Sequence, residues 1–239
     1  LNHASVPVSN QLIAALPAAE LAQWSTRLEP VHLTAGGVLH EPGEVMDHIY
    51  FPTTAVVSLL YTTARGASAE IAMVGYEGLV GISLLLGGET TPHCAIVQSA
   101  GFGYRLTAAA TRAEFQRSMA VKDLLLRYTQ ALITQMTLTA ACNRHHALEQ
   151  QVCRWLLMRL DRLQGSELTT THEQIANLLG VRREGVTEAA SRLQQAGLIR
   201  YSRGRVEVID RPGLERRCCE CYAVVKKEYD RLLPAPAAR

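Results

Sequence analysis

From Thr170 to Arg205 the chain reads TTHEQIANLLGVRREGVTEAASRLQQAGLIRYSRGR, and this stretch decides the fold. Thr171 and Gln174 have the spacing of a capping box, and Ile175, Leu178 and Leu179 recur at helical intervals until Gly180 stops the helix. A second helix opens on Arg182, Arg183 and Glu184, and Val186, Ala189, Ala190 and Leu193 give it one apolar face. Its other face is left for something outside the fold. Ile199, Tyr201, Val206 and Val208 then read as two short strands around Ser202-Arg203-Gly204.

Two short helices joined by a glycine turn are the helix-turn-helix pattern, whose second helix enters the DNA major groove with its N-terminal residues at the base edges. Arginine can bond guanine O6 and N7 together, glutamate can accept from cytosine N4, and a hydroxyl such as Thr187 serves bases or phosphates. The basic hairpin after it has the form of a wing. Six arginines against Glu184 and Glu188 lie between Arg182 and Arg205, a bias that phosphate contact explains.

Whole-chain charge conceals this. The 239 residues carry a formal net charge of only +2. Through Glu149 there are 8 basic and 11 acidic residues, and from Gln150 onward 16 and 11, so the halves are −3 and +5. Such asymmetry places a polyanion partner at the second half. No apolar run is long enough for a bilayer and no signal peptide is evident at the start, so a cytoplasmic protein with no membrane partner is expected. Six scattered cysteines do not suit a disulfide-stapled secreted domain.

The first half is organised differently. After a helical stretch, Gln11 to Leu28, short apolar runs alternate with glycine and proline: Val31–Leu33, Val38–His40, Ile49–Phe51, Val56–Tyr61, Glu70–Val74 and Ala95–Gln98. Such regular short strands predict an antiparallel sandwich, jelly roll or barrel, a fold that offers an interior pocket. A long helical region, Ala110 to Leu163, follows with a break expected near Asn143–His146. Val121, Leu125, Tyr128 and Leu132 form one apolar stripe, and Leu126, Ile133 and Met136 a second, which a second copy of the helix would bury.

An N-terminal β-roll, a long helix and a C-terminal winged helix-turn-helix together resemble the Crp/Fnr family of bacterial transcription regulators. Gly36–Leu60 is similar to the family's early β-roll, Gly75–Gly88 to its effector-pocket region and Ile175–Leu193 to its recognition motif. The resemblance implies an α+β chain with a β-roll effector domain at 1–116, a dimerisation helix and hinge at 117–146, and a winged helix-turn-helix domain at 147–239. It implies a homodimer on double-stranded DNA, contact with RNA polymerase and control by a small-molecule effector, without enzyme activity.

Carried over position by position, Arg183 and Glu184 fall on the family's base-reading pair, with Arg182 and Thr187 in support. Thr171, Arg192, Arg203 and Arg205 are the expected phosphate contacts. Gly185 stands where a hydroxyl residue is common, and Glu188 where cAMP-responsive members carry a further arginine. Val80, Gly81, Ile82, Ser83, Thr91 and His93 fall on the effector pocket. There the family's ribose glutamate is replaced by Ile82, and no arginine occurs between Arg65 and Arg105. A cyclic phosphate would lack its guanidinium, so conventionally bound cAMP is not expected and the effector is left unknown.

No cysteine precedes Cys94, which argues against the family's N-terminal iron–sulfur cluster. The histidines have no haem-diagnostic spacing. Three thiols within four residues, Cys218, Cys219 and Cys221, could bind a soft metal or form a redox switch, but they fall on an expected terminal helix, Pro212 to Leu233, where packing accounts for Cys218 and Cys221, and no metal site is expected. Two rivals carry weight: an architectural DNA-binding dimer without an effector, and a cupin-like metalloenzyme. The second lacks the required histidine pair and leaves the basic helix-turn-helix unexplained.

Overall fold

The computed structural model describes residues 10–163, 165–202 and 204–233. The chain divides into two compact units. One comprises the described parts of Leu1–Val57, Val74–Ala131 and Tyr229–Arg239, the other those of Ser58–Met73 and Leu132–Glu228.

The first unit begins with α1 (Gln11–Ala14) and α2 (Ala18–Ser25). The helical stretch expected from Gln11 to Leu28 is thus broken, with Pro17 standing as N-cap of α2. Asn10 caps α1 through its side-chain oxygen, and its Nδ2 donates to the carbonyls of Pro52 and Gly78. Strands β1 (Glu29–Leu33), β2 (Val38–His40) and β3 (His48–Pro52) match three of the expected runs. The hairpin of β4 (Val56–Thr62) and β5 (Ser68–Val74) comes next in the chain, its residues 58–73 belonging to the second unit, and β6 (Cys94–Ser99) and β7 (Gly101–Thr107) belong to the first. Strand β7, not expected from the sequence, pairs antiparallel with both β1 and β3. Trp24 packs edge-on against Phe51 at 5.6 Å, and with Ile49, Leu79 and Leu106 these side chains form a fully buried core.

Helices α3 (Ala108–Arg117) and α4 (Met119–His145) are separated at Ser118, and α5 (Leu148–Arg162) follows the break expected near residues 143–146. The two stripes of α4 have opposite fates. Val121, Leu125, Tyr128 and Leu132 are completely buried. Of the second stripe, Leu126 and Ile133 are exposed, Ile133 by 50%, whereas Met136 is part-buried; Met119, seven residues before Leu126, is exposed as well.

The second unit contains α5, β8 (Glu167–Thr169), α6 (His172–Leu179), α7 (Arg183–Gln195), β9 (Ile199–Ser202), β10 (Arg205–Val208), α8 (Arg211–Arg217) and α9 (Glu220–Leu232). Strands β8, β10 and β9 form an antiparallel sheet in that order, adding a strand to the expected two-stranded wing. The expected terminal helix is two helices, broken at Cys218-Cys219. Among the described residues no helix is long and apolar enough to cross a membrane.

Candidate nucleic-acid interface

Thr171 accepts from Gln174 N at 3.1 Å, and Gln174 Oε1 accepts from Thr171 N at 2.8 Å, so the capping box forms as its spacing requires. Gly180 ends α6 at φ 67°, ψ 34°, the left-handed conformation that favours glycine. A Cβ there would lie 3.3 Å from Ala69 Cβ in the β4–β5 hairpin, so little space is left beside this turn. Val186, Ala189, Ala190 and Leu193 of α7 are buried, which fixes the helix and leaves Arg183, Glu184, Thr187 and Glu188 outward.

The outward residues are not equivalent. Arg182, Arg183 and Arg205 are exposed and make no ion pair among the described residues. Arg192 is held by Glu149 and by Glu188, each at 3.3 Å. Glu188 is thereby paired within its own helix, which offsets the repulsion its charge would otherwise exert on phosphate. Arg200 pairs with Glu207 at 2.9 Å across the wing. Thr187 donates to Arg183 O and lies 3.0 Å from His172 Nδ1. Its hydroxyl proton is engaged inside the domain. Arg203 lies outside the described residues.

Gly185 has a packing reason. A Cβ at this position would stand 2.7 Å from Leu148 Cδ2, so glycine lets α7 approach the start of α5. His172 and Tyr201 link the first helix to the wing, and Tyr201 N donates to Gln194 Oε1 at 2.7 Å. Burial, with the Arg183 charge second, pushes the His172 imidazole below its ordinary pKa.

Part of the positive charge seen in the sequence is internal. Arg154, Arg159 and Arg162 on α5 are each more than nine-tenths buried. Their charges act on buried Glu70, which accepts from Ser58 Oγ. Burial raises the Glu70 pKa against the opposing pull of that hydrogen bond and the three arginines. Arg162 also donates to Gln135 Oε1 at 3.1 Å, and Gln135 donates to Met73 O at 3.0 Å. This network lay hidden in an arginine count that favoured surface contact.

In the first unit, Val80 exchanges backbone hydrogen bonds with Tyr50, and Gly81 at φ 109° opens the 3-10 turn Ile82–Leu84. The Gly88 amide donates to Ser83 O at 2.9 Å. Thr91 is hydrogen-bonded to His93, whose ring meets that of His40 edge-on at 5.5 Å. Burial first, then the His93 charge, lowers the His40 pKa to about 4. Glu89, in the segment that lacks the phosphate arginine, is paired to Arg112 at 2.8 Å. Arg105 is likewise committed, to Glu29.

Residues 150–217 match the model of the Crp-like helix-turn-helix domain. No curated protein matches the chain. Among solved structures, a CRP-family transcriptional regulator of Thermus thermophilus, TTHB099, superposes with TM-score 0.66 at 20% identity, covering 78% of this chain and 95% of that one. FixK2 of Bradyrhizobium japonicum gives 0.68 at 13% identity, covering 80% and 98%. The c-di-GMP-responsive regulator CLP of Xanthomonas campestris gives 0.64 at 16% identity, covering 80% and 99%.

Proposed function

We propose, for a chain that carries a Crp-like helix-turn-helix domain on the fold of the Crp/Fnr regulators, that it is a sequence-specific DNA-binding transcription regulator acting as a homodimer in the cytoplasm. One observation carries the reading: Arg182, Arg183 and Glu184 stand exposed at the start of α7, with both arginines uncommitted, beside a wing that presents Arg205. Arg183 and Glu184 read bases. Arg182, at the N-cap, and Arg205 meet the backbone. Thr171 keeps a hydroxyl proton for a phosphate, whereas Arg192 must leave its carboxylate partners to do so.

The exposed heptad of Met119, Leu126 and Ile133 is the dimer seam, a spacing that one helix offers to a second copy of itself. Two copies would present two recognition helices to successive major grooves. RNA polymerase is the expected downstream partner.

The input is a small molecule other than conventionally bound cAMP, since the effector region offers histidines, Thr91 and backbone groups rather than a free guanidinium. A ligand regulates only through unequal affinity for the two forms of the dimer. Selection of bound DNA from a random pool, with and without candidate second messengers, tests the reading. A defined palindromic site supports it, and a pool that never departs from random overturns it. A site whose affinity no ligand changes would favour the architectural binder.

A further inference from the structure

Cys219 and Cys221, beside the start of the last helix, acquire partners in the folded second unit. Cys142 and His146 lie one helical turn apart at the end of α4, where His146 N donates to Cys142 O at 3.0 Å. Cys219 and Cys221 flank Glu220 at the start of α9. The Cys142 and Cys219 sulfurs are 3.6 Å apart, and Cys221 Sγ is 3.6 Å from His146 Nδ1. All four donor atoms lie within 4.8 Å of one another.

A tetrahedral zinc ion with its usual bond lengths sets sulfur–sulfur edges of about 3.8 Å and sulfur–nitrogen edges of about 3.6 Å. The Cys142–Cys219 and Cys221–His146 pairs are close to these separations, and no donor pair is more than 4.8 Å apart. Three donors are buried, and His146 keeps one edge toward solvent. That edge is itself occupied: His146 Nε2 lies 3.3 Å from Glu220 Oε1, leaving Nδ1 toward the sulfurs. A carboxylate on the far nitrogen of a histidine is the arrangement that orients metal-ligating imidazoles.

We propose that Cys142, His146, Cys219 and Cys221 bind a single zinc-class divalent ion that ties the end of α4 to the start of α9. Binding releases the three thiol protons to solvent, and the resulting cluster carries one net negative charge, with the buried Arg154 guanidinium acting on Cys142 and Cys221. The ion would fix the hinge that precedes the DNA-reading domain. This assignment is independent of the effector and of the operator.

The test uses the full-length, untagged chain purified under reducing conditions. Elemental analysis is expected to give about one zinc per chain. Cobalt replacing it should show thiolate charge-transfer absorption and the intense visible bands of tetrahedral coordination. Cys142→Ser and Cys219→Ser should abolish these bands, Cys94→Ser and Cys153→Ser should keep them, and Glu220→Gln should lower affinity about 10–100-fold. Should a ligand variant fail to fold, alkylation of the wild-type thiols with and without chelator still decides: protection that chelator removes at Cys142, Cys219 and Cys221 supports the site. No uptake of zinc or cobalt, unchanged bands in the Cys142→Ser/Cys219→Ser double variant, alkylation indifferent to chelator, or a Cys142–Cys219 disulfide in place of metal overturns it.

Discussion

His172 stacks on Tyr201 with ring centroids 4.1 Å apart and planes inclined by 30°, so the first residue of α6 and the middle of β9 share one contact. The Tyr201 hydroxyl adds a bond to Thr170 O at 3.2 Å. Helix-turn-helix and wing are therefore held in register by side chains as well as by the sheet. Tyr201→Ala should cost about 1–3 kcal/mol of stability through lost packing and pairing. It should weaken binding to specific and random DNA by similar factors, because it displaces the wing without touching a base reader. Denaturation midpoints and binding isotherms on both DNAs check this.

The proposed α4 seam predicts a monomer on charge insertion. Leu126→Glu and Ile133→Glu together place like charges at positions 38% and 50% exposed, where folding within one chain is little affected. Sedimentation should report a folded monomer. A variant that stays dimeric places the interface elsewhere.

Glu70 and its arginines make a second stability prediction. Glu70→Ala removes a buried carboxyl group whose charge acts with those of Arg154, Arg159 and Arg162, and loss of one member of a buried charged group costs about 3–5 kcal/mol. Urea unfolding measures it. A loss below about 1 kcal/mol would show that the arginines find other compensation.

Acid should act through His40. Its pKa falls from the ordinary 6.5 to about 4 on folding, so below pH 6.5 the unfolded chain takes up a proton that the folded chain refuses. The stability contribution is complete above pH 6.5 and is lost as the pH falls toward 4, with the lowered His93 and His172 adding in the same sense. His40→Gln should flatten the pH dependence of unfolding between 6.5 and 4. An unchanged slope would contradict the assignment.

The reading element was legible because its signals are local. A capping box, a stop glycine and one apolar face lie within 24 residues, and each appears where its chemistry required. Strand β7 escaped because Gly101-Phe102-Gly103 interrupts the alternation that marks a strand, and Phe102 points outward at 62% exposure. Arg154, Arg159 and Arg162 misled because charge in a sequence is read as surface, whereas here Glu70, 84 residues before the first of them, draws it inward. Thr187 and Arg192 are exposed, yet their partners His172 and Glu149 come from other elements and were not legible from spacing. For the same reason Cys142 gave no sign of Cys219, 77 residues on.

Arg183 carries the central claim. Binding of wild type and Arg183→Ala to a selected operator and to random DNA, at one fixed salt concentration, tests it most directly. The account predicts a loss of about 1–3 kcal/mol on the operator, relaxed preference at one base pair and little change on random DNA, while Arg205→Ala weakens both alike. Equal losses on operator and random DNA for Arg183→Ala would contradict it.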